Sequence, residues 1–306
     1  MLNPDQIAFY EEHGYLVIEG AVTGERLETL QAVTADLIER SREVAESDDV
    51  YDLDAGHSPQ APRLTRIKLP HERHRAYLEV LRSDPVASIM QSLVGEDVRL
   101  HTSKLNTKAP GGGAAVEWHQ DWAFYPHTND DLFAIGLMLG DVDEANGPLL
   151  VIPGTHRGPV LDHSRDGTFC GAIDPDDPAF DVSRAVALTG RAGDMSIHHV
   201  RTLHGSAPNL SDRARLLLLY EAGAADAWPI AGGSGLYTGL DQRRVWETLN
   251  GRMLTGRQSI VPRLESVPVT MPLPPAKDAS SIFKIQQSGG ARSAFAGEGK
   301  GADAAA

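Results

Sequence analysis

Residues 195–220 read MSIHHVRTLHGSAPNLSDRARLLLLY. Two short apolar runs, Met195–His199 and Leu216–Tyr220, stand on either side of a cluster of Gly, Ser, Pro, Asn and Asp. Runs of this length bounded by turn formers read as β-strands. The same texture extends back to Val98, with Leu100–Thr107, Phe133–Leu139, Leu149–Ile152 and Ala185–Leu188 as further short runs between turn clusters. Regular punctuation of this kind predicts an all-β sandwich or barrel.

Outside residues 96–225 the texture is helical or polar. Asn3-Pro4-Asp5 starts a helix that Gly14 stops, Tyr15–Ile18 is a brief strand, and Thr23 caps a second helix with Leu27, Leu30, Val33, Leu37 and Ile38 along one face. Residues 46–62 read as a polar loop, Leu64–Leu69 as a strand, and residues 73–94 as two short helices divided at Asp84-Pro85. Helical signals return at Asp241–Met253. The expected organisation is one domain over 1–285: a helical part over about 1–95, a β core over about 96–225 and an extension over 226–285. The tail 286–306, ending GKGADAAA, is expected to be disordered for lack of apolar residues.

Composition narrows the chemistry. With 28 Lys and Arg against 42 Asp and Glu, the net charge of −14 disfavours nucleic acid and anionic membrane, which bind basic surfaces. No apolar stretch reaches the length of a bilayer span, and the N-terminus lacks the basic start and apolar run of a secretory signal. One cysteine, Cys170, allows neither an intrachain disulfide nor a Cys-rich metal site. A cytoplasmic location is expected, and any metal must use His and carboxylate ligands.

Trp118-His119-Gln120-Asp121 supplies two of them. Alternate side chains of a strand share a face, so His119 and Asp121 emerge together. His204 in His204-Gly205-Ser206 is the candidate third ligand. Two imidazoles and one carboxylate on one face, with three positions open, is the pattern of oxygen-activating non-haem iron(II). Arg215 follows His204 by eleven positions and opens the run Leu216–Tyr220, which reads as a buried strand. A guanidinium there needs an anion. The far carboxylate of 2-oxoglutarate matches its donor fork, and an internal salt bridge is the other reading.

These residues, taken in order with Asn146-Gly147-Pro148-Leu149, Ile152-Pro153-Gly154-Thr155-His156 and the opening Gln6-Ile7, Phe9 and Gly14-Tyr15-Leu16-Val17, resemble the phytanoyl-CoA dioxygenase family over roughly residues 4–225. The resemblance implies a double-stranded β-helix (jelly-roll, cupin-like) core with flanking helices, iron(II), 2-oxoglutarate and O2. It implies that His119, Asp121 and His204 hold the metal and that Arg215 holds the distal carboxylate with help from Ser206. Lys104 and Arg66 correspond loosely to family positions that touch the co-substrate, with solvated strand-edge cations as the other reading. It further implies hydroxylation of an unactivated C–H bond of a small-molecule substrate, with release of succinate and CO2. Asp121 argues against a halogenase, where a small residue replaces the carboxylate. A metal-dependent β-barrel enzyme that uses no 2-oxoglutarate and a non-catalytic binding protein are the rival readings. One position departs from the family: Gly136 stands where many members carry a tryptophan beside the co-substrate, which points to altered co-substrate packing or a larger cavity.

Other candidates carry less. His199 lies at odd spacing from His204. His198 shares its parity but would lie about 20 Å away along an extended strand. Neither is expected to ligate metal. Trp122, Phe124, Tyr125 and His127 read equally as pocket lining and as core, Arg157 as a surface cation, and Cys170 has no activating partner nearby in sequence.

Overall fold

The computed structural model describes residues 1–113, 115–230, 242–270, 275–278 and 281–295. Fourteen strands are present among them. A large antiparallel sheet runs β1 (Tyr15–Ile18), β11 (Met195–His199), β6 (Leu132–Met138), β13 (Arg215–Ala224), β4 (Val98–Lys108), β3 (Leu64–Lys68) and β2 (Tyr51–Leu53), with β14 (Met253–Thr255) also on β4. A smaller antiparallel sheet runs β10 (Val186–Leu188), β7 (Leu149–Val151), β12 (His204–Ser206) and β5 (Val116–His119). A two-residue ribbon joins β8 (Ser164–Arg165) to β9 (Thr168–Phe169). Two facing antiparallel sheets with crossed connections form the double-stranded β-helix, or jelly roll.

The sequence of β13 explains why the large sheet has two different faces. Leu218, Tyr220 and Ala222 point outward into the main apolar core, joined by Leu105, Ile135, Leu137 and Ile197 from neighbouring strands. Arg215, Leu217, Leu219 and Glu221, the alternate set, point inward and line a pocket between the sheets. Helices cover the outer face: α1 (Pro4–His13), α2 (Gly24–Arg40), α3 (Pro70–Arg73), α4 (Ala76–Glu79) and α5 (Val86–Val94). Tyr10, Leu30, Leu37, Tyr77, Ile89 and Met90 from these helices enter the same core. In α1 the Asn3 side chain accepts from the Gln6 N–H while Gln6 returns a bond to the Asn3 N–H, and Gly14 at φ 76° ends the helix. No helix among the described residues is long and apolar enough to cross a membrane.

The C-terminal part holds α6 (Gln242–Gly251) and α7 (Ile282–Ser288). Order extends further than the sequence suggests, because residues 286–295 fold onto the small sheet. Gln286 and Phe295 are buried, and the Phe295 ring stacks on Trp118 at 6.2 Å. Few apolar residues suffice here, because an amide side chain and one ring find partners prepared on β5. Residues 296–306 lie outside the described part.

Candidate metal centre

β5 ends at His119, and the chain turns at once into a short 3-10 helix at Asp121–Ala123. Across the small sheet, His204 pairs with His119 in register, which sets their rings 4.0 Å apart. One donor atom from each of His119, Asp121 and His204 lies within 4.8 Å of the others, and all three residues are buried. His119 Nε2 stands 3.7 Å from one Asp121 oxygen, and His204 Nε2 stands 3.9 Å from the other.

The far side of each ring is fixed by the backbone. His119 Nδ1 donates to the Glu117 carbonyl at 2.8 Å, and His204 Nδ1 donates to the Thr202 carbonyl at 2.9 Å. That leaves both Nε2 lone pairs free toward Asp121, as metal-binding imidazoles require. Burial lowers His119 to about 4 and His204 well below the usual histidine range, so both rings are neutral near pH 7. Burial works against ionisation of Asp121, but His204, His198 and Lys104 outweigh it and hold the carboxyl well below its usual range. Two neutral imidazoles and a carboxylate with aligned donor atoms fit a divalent iron ion.

A pocket lies beside this cluster. Its walls come from both sheets and include Lys104, Asn106, Ser206, Arg215 and Glu221. Arg215 is 2% exposed, its Nε has no hydrogen-bond partner, and no carboxylate among the described residues pairs with it. Burial alone lowers its guanidinium to about 10. Asn106 Oδ1, nearby on the same wall, also lacks a partner. The internal salt bridge weighed for Arg215 is therefore absent among the described residues, and an anionic end group fits the place.

The other two cations differ from each other. Lys104 Nζ donates to Glu221 at 2.8 Å and lines the pocket; Glu221 and Asp121 hold it protonated although burial opposes this. Arg66 bonds to Asp52 at 2.7 Å and is not part of the pocket wall. Ser206 is buried on the wall beside Arg215. Gly136 opens no extra space, because a Cβ there would meet Ser196 Oγ at 2.6 Å and Leu217 at 3.3 Å. A larger side chain here would have to displace these two neighbours.

Sequence reasoning placed His198 too far away. Residues 199–202 make a tight turn, with Thr202 N–H bonded to the His199 carbonyl at 2.9 Å, so the chain leaves β11 and enters the other sheet as β12. His198 thus faces His204 with rings 4.3 Å apart, and its Nε2 is 3.7 Å from Asp121. The even spacing of 198 and 204 was the available signal; the turn between them hid it. Lys108 was missed as well, although it shares a face with Lys104 and Asn106 on β4. It is 1% exposed, and its Nζ donates to the Ser206 and Ala207 carbonyls beside Arg215. Burial, then the charge of Arg215, pushes Lys108 well below the usual lysine range.

The four residues after the motif divide between the two readings given them. Trp122 is core, with its indole N–H donated to the Pro268 carbonyl at 2.8 Å. Phe124 meets His119 edge-on at 5.7 Å. Burial, and then the charges of Asp121 and Glu221, push the Tyr125 hydroxyl well above its usual range. His127 packs on Tyr125 and His101. Cys170 is buried, and its thiol is raised by that burial.

The family described as phytanoyl-CoA dioxygenase (PhyH) matches residues 10–217. A protein of Stutzerimonas stutzeri named as a probable alpha-ketoglutarate-dependent hypophosphite dioxygenase is 37% identical over 282 residues, covering 91% of this chain and 95% of that protein. The ectoine dioxygenase of Bordetella parapertussis is 25% identical over 240 residues, covering 72% of this chain and 76% of that one. The crystal structure of EctD from S. alaskensis with bound Fe has the same fold, at TM-score 0.62 and 23% identity, covering 76% of this chain and 80% of that one. The chain belongs to the phytanoyl-CoA dioxygenase family.

Proposed function

We propose that this iron(II)- and 2-oxoglutarate-dependent dioxygenase holds its metal with His119, Asp121 and His204, holds 2-oxoglutarate through Arg215 and Ser206, and oxidises hypophosphite or a similarly small oxyanion. The observation that carries the assignment of the co-substrate site is Arg215, a buried guanidinium with no carboxylate partner among the described residues, on the wall of the pocket that contains the three metal-binding side chains. The substrate reading is supported by the 37% identity over nearly the full length of the hypophosphite dioxygenase relative.

When bound, iron(II) and 2-oxoglutarate supply oxidative decarboxylation, in which O2 is split between succinate and the hydroxylated product, with release of CO2. The protein's part is positioning. The Glu117 and Thr202 carbonyls fix the tautomers of His119 and His204, so both present Nε2. Arg215 offers its planar fork to the distal carboxylate, and Ser206 lies within the same wall. Lys104 stays protonated on the wall, where it attracts anionic groups. The Lys108 Nζ donates to the Ser206 and Ala207 carbonyls after His204, which keeps that strand in place beside Arg215.

For hypophosphite, insertion of one oxygen into a P–H bond gives phosphite and a proton, while 2-oxoglutarate and O2 give succinate and CO2. The expected outcome with iron-loaded protein is phosphite and succinate in equal amounts, measured by phosphorus NMR and chromatography. Oxidation of a substrate with no requirement for 2-oxoglutarate would instead favour a metal-dependent β-barrel enzyme of another kind. Succinate formed equally by His119→Ala would mean that the metal site is elsewhere.

A further inference from the structure

Among the described residues at this pocket, His198 alone has both ring nitrogens buried without a hydrogen-bond partner. It is 1% exposed. His119 and His204 differ, because each donates Nδ1 to a carbonyl. Asp121 lies 3.7 Å from His198 Nε2, beyond a good hydrogen bond. The donor atoms within 4.8 Å of one another include those of His119, Asp121 and His204 but not of His198. With only the Asp121 carboxylate facing Nε2 at 3.7 Å and no hydrogen bond to either nitrogen, this buried imidazole outside the ligand set keeps part of its desolvation penalty until something occupies the pocket.

The neighbourhood says what that occupant is. His198 pairs in register with Ala134, and both line the same pocket. Arg215, which has no carboxylate partner among the described residues, and Lys104, which is paired with Glu221 at 2.8 Å, bring cationic groups to this wall. We propose that His198 is the substrate anchor: its ring N–H donates to an oxygen of a small oxyanion and so directs the bond to be oxidised toward the metal. This rests on the substrate reading above. A ring N–H gives direction as well as attraction, and hypophosphite held by one oxygen keeps both of its P–H bonds free to be turned toward the metal.

The test compares wild type with His198→Phe, which removes the donor, and His198→Gln, which keeps one. Hypophosphite is titrated by calorimetry into anaerobic protein loaded with iron(II) and 2-oxoglutarate; iron per chain, 2-oxoglutarate affinity and melting temperature are recorded alongside. The expected result is hypophosphite binding weakened about 10- to 100-fold in His198→Phe and largely recovered in His198→Gln. Iron content and 2-oxoglutarate affinity stay at wild-type levels, while succinate formation in His198→Phe loses its coupling to phosphite. Should His198→Phe fail to fold, His198→Leu takes its place. Equal affinity in wild type and the apolar variant overturns the anchor and leaves the substrate reading standing. Loss of iron from both variants overturns it in favour of a metal ligand. If wild type neither binds nor oxidises hypophosphite, the substrate reading falls, and the oxyanion anchor falls with it.

Discussion

A guanidinium gives up its hydration when it enters a protein interior, and Arg215 has done so without gaining a carboxylate partner among the described residues. The cost is recovered when a planar anion docks. Two charge-assisted hydrogen bonds are worth about 3 kcal/mol, or some 100-fold in affinity. Arg215→Leu is therefore expected to raise the KM for 2-oxoglutarate about 100-fold and to leave iron binding intact. Arg215→Lys recovers only part, since a point charge cannot pair both oxygens in one plane. An unchanged KM in Arg215→Leu would mean that the co-substrate lies elsewhere. At this scale the sequence was informative where chemistry is local: His119 and Asp121 on one face, and Arg215 at the foot of a buried strand. It was misleading for His198, because a distance along an extended chain says nothing once the chain turns, and the turn at 199–202 is held by a backbone bond that any residues can make.

At the scale of the element, β5 and α7 are tied together. The Gln286 side chain accepts from Glu117 N–H at 3.0 Å and donates to the Glu117 carbonyl at 3.2 Å and to the Gly171 carbonyl at 2.9 Å. The Glu117 carbonyl is also the acceptor for His119 Nδ1. Gln286 thus steadies the group that orients a metal-binding ring, and Ile282 from the same helix forms part of the pocket wall. Supporting hydrogen bonds of this kind are worth 10- to 100-fold in metal affinity. Gln286→Leu is expected to weaken iron(II) binding about 10-fold or more, read by competition with a chelator. Affinity equal to wild type would reduce α7 to packing alone. In the core, β4, β6, β7, β10, β11 and β13 were legible because each is an apolar run between turn formers, whereas β12, the three residues His204–Ser206, is no such run. The role of α7 was not, because its contribution rests on one glutamine and one phenylalanine in a tail of small and polar residues.

At the scale of the whole molecule, the jelly roll buries many of its histidines. Burial lowers His71, His127 and His163 each to about 4. The unfolded chain titrates these groups near 6.5, so between about 6.5 and 4 it binds more protons than the folded one. Folded stability therefore falls as pH drops through that window and is fully present above it. The melting temperature of metal-free protein is expected to fall by about 5 °C or more between pH 7 and pH 5. A flat profile would mean that these rings are more hydrated than their burial implies. His163 shows what the neutral form does: its Nε2 accepts from the Gln120 N–H at 2.8 Å, and its Nδ1 donates to the Leu161 carbonyl at 2.8 Å. Protonation would remove that acceptor from the backbone between the two metal-binding residues of the motif.

The central claim is that one pocket binds iron(II) through His119, Asp121 and His204 and seats 2-oxoglutarate beside it. Chelation of iron(II) by 2-oxoglutarate produces a visible charge-transfer absorption, so an anaerobic titration of the iron-loaded protein with 2-oxoglutarate reads both at once. Wild type is predicted to develop the band saturably with one 2-oxoglutarate per iron, and His119→Ala is predicted to develop none. An equal band in His119→Ala, or none in fully iron-loaded wild type, would contradict the account.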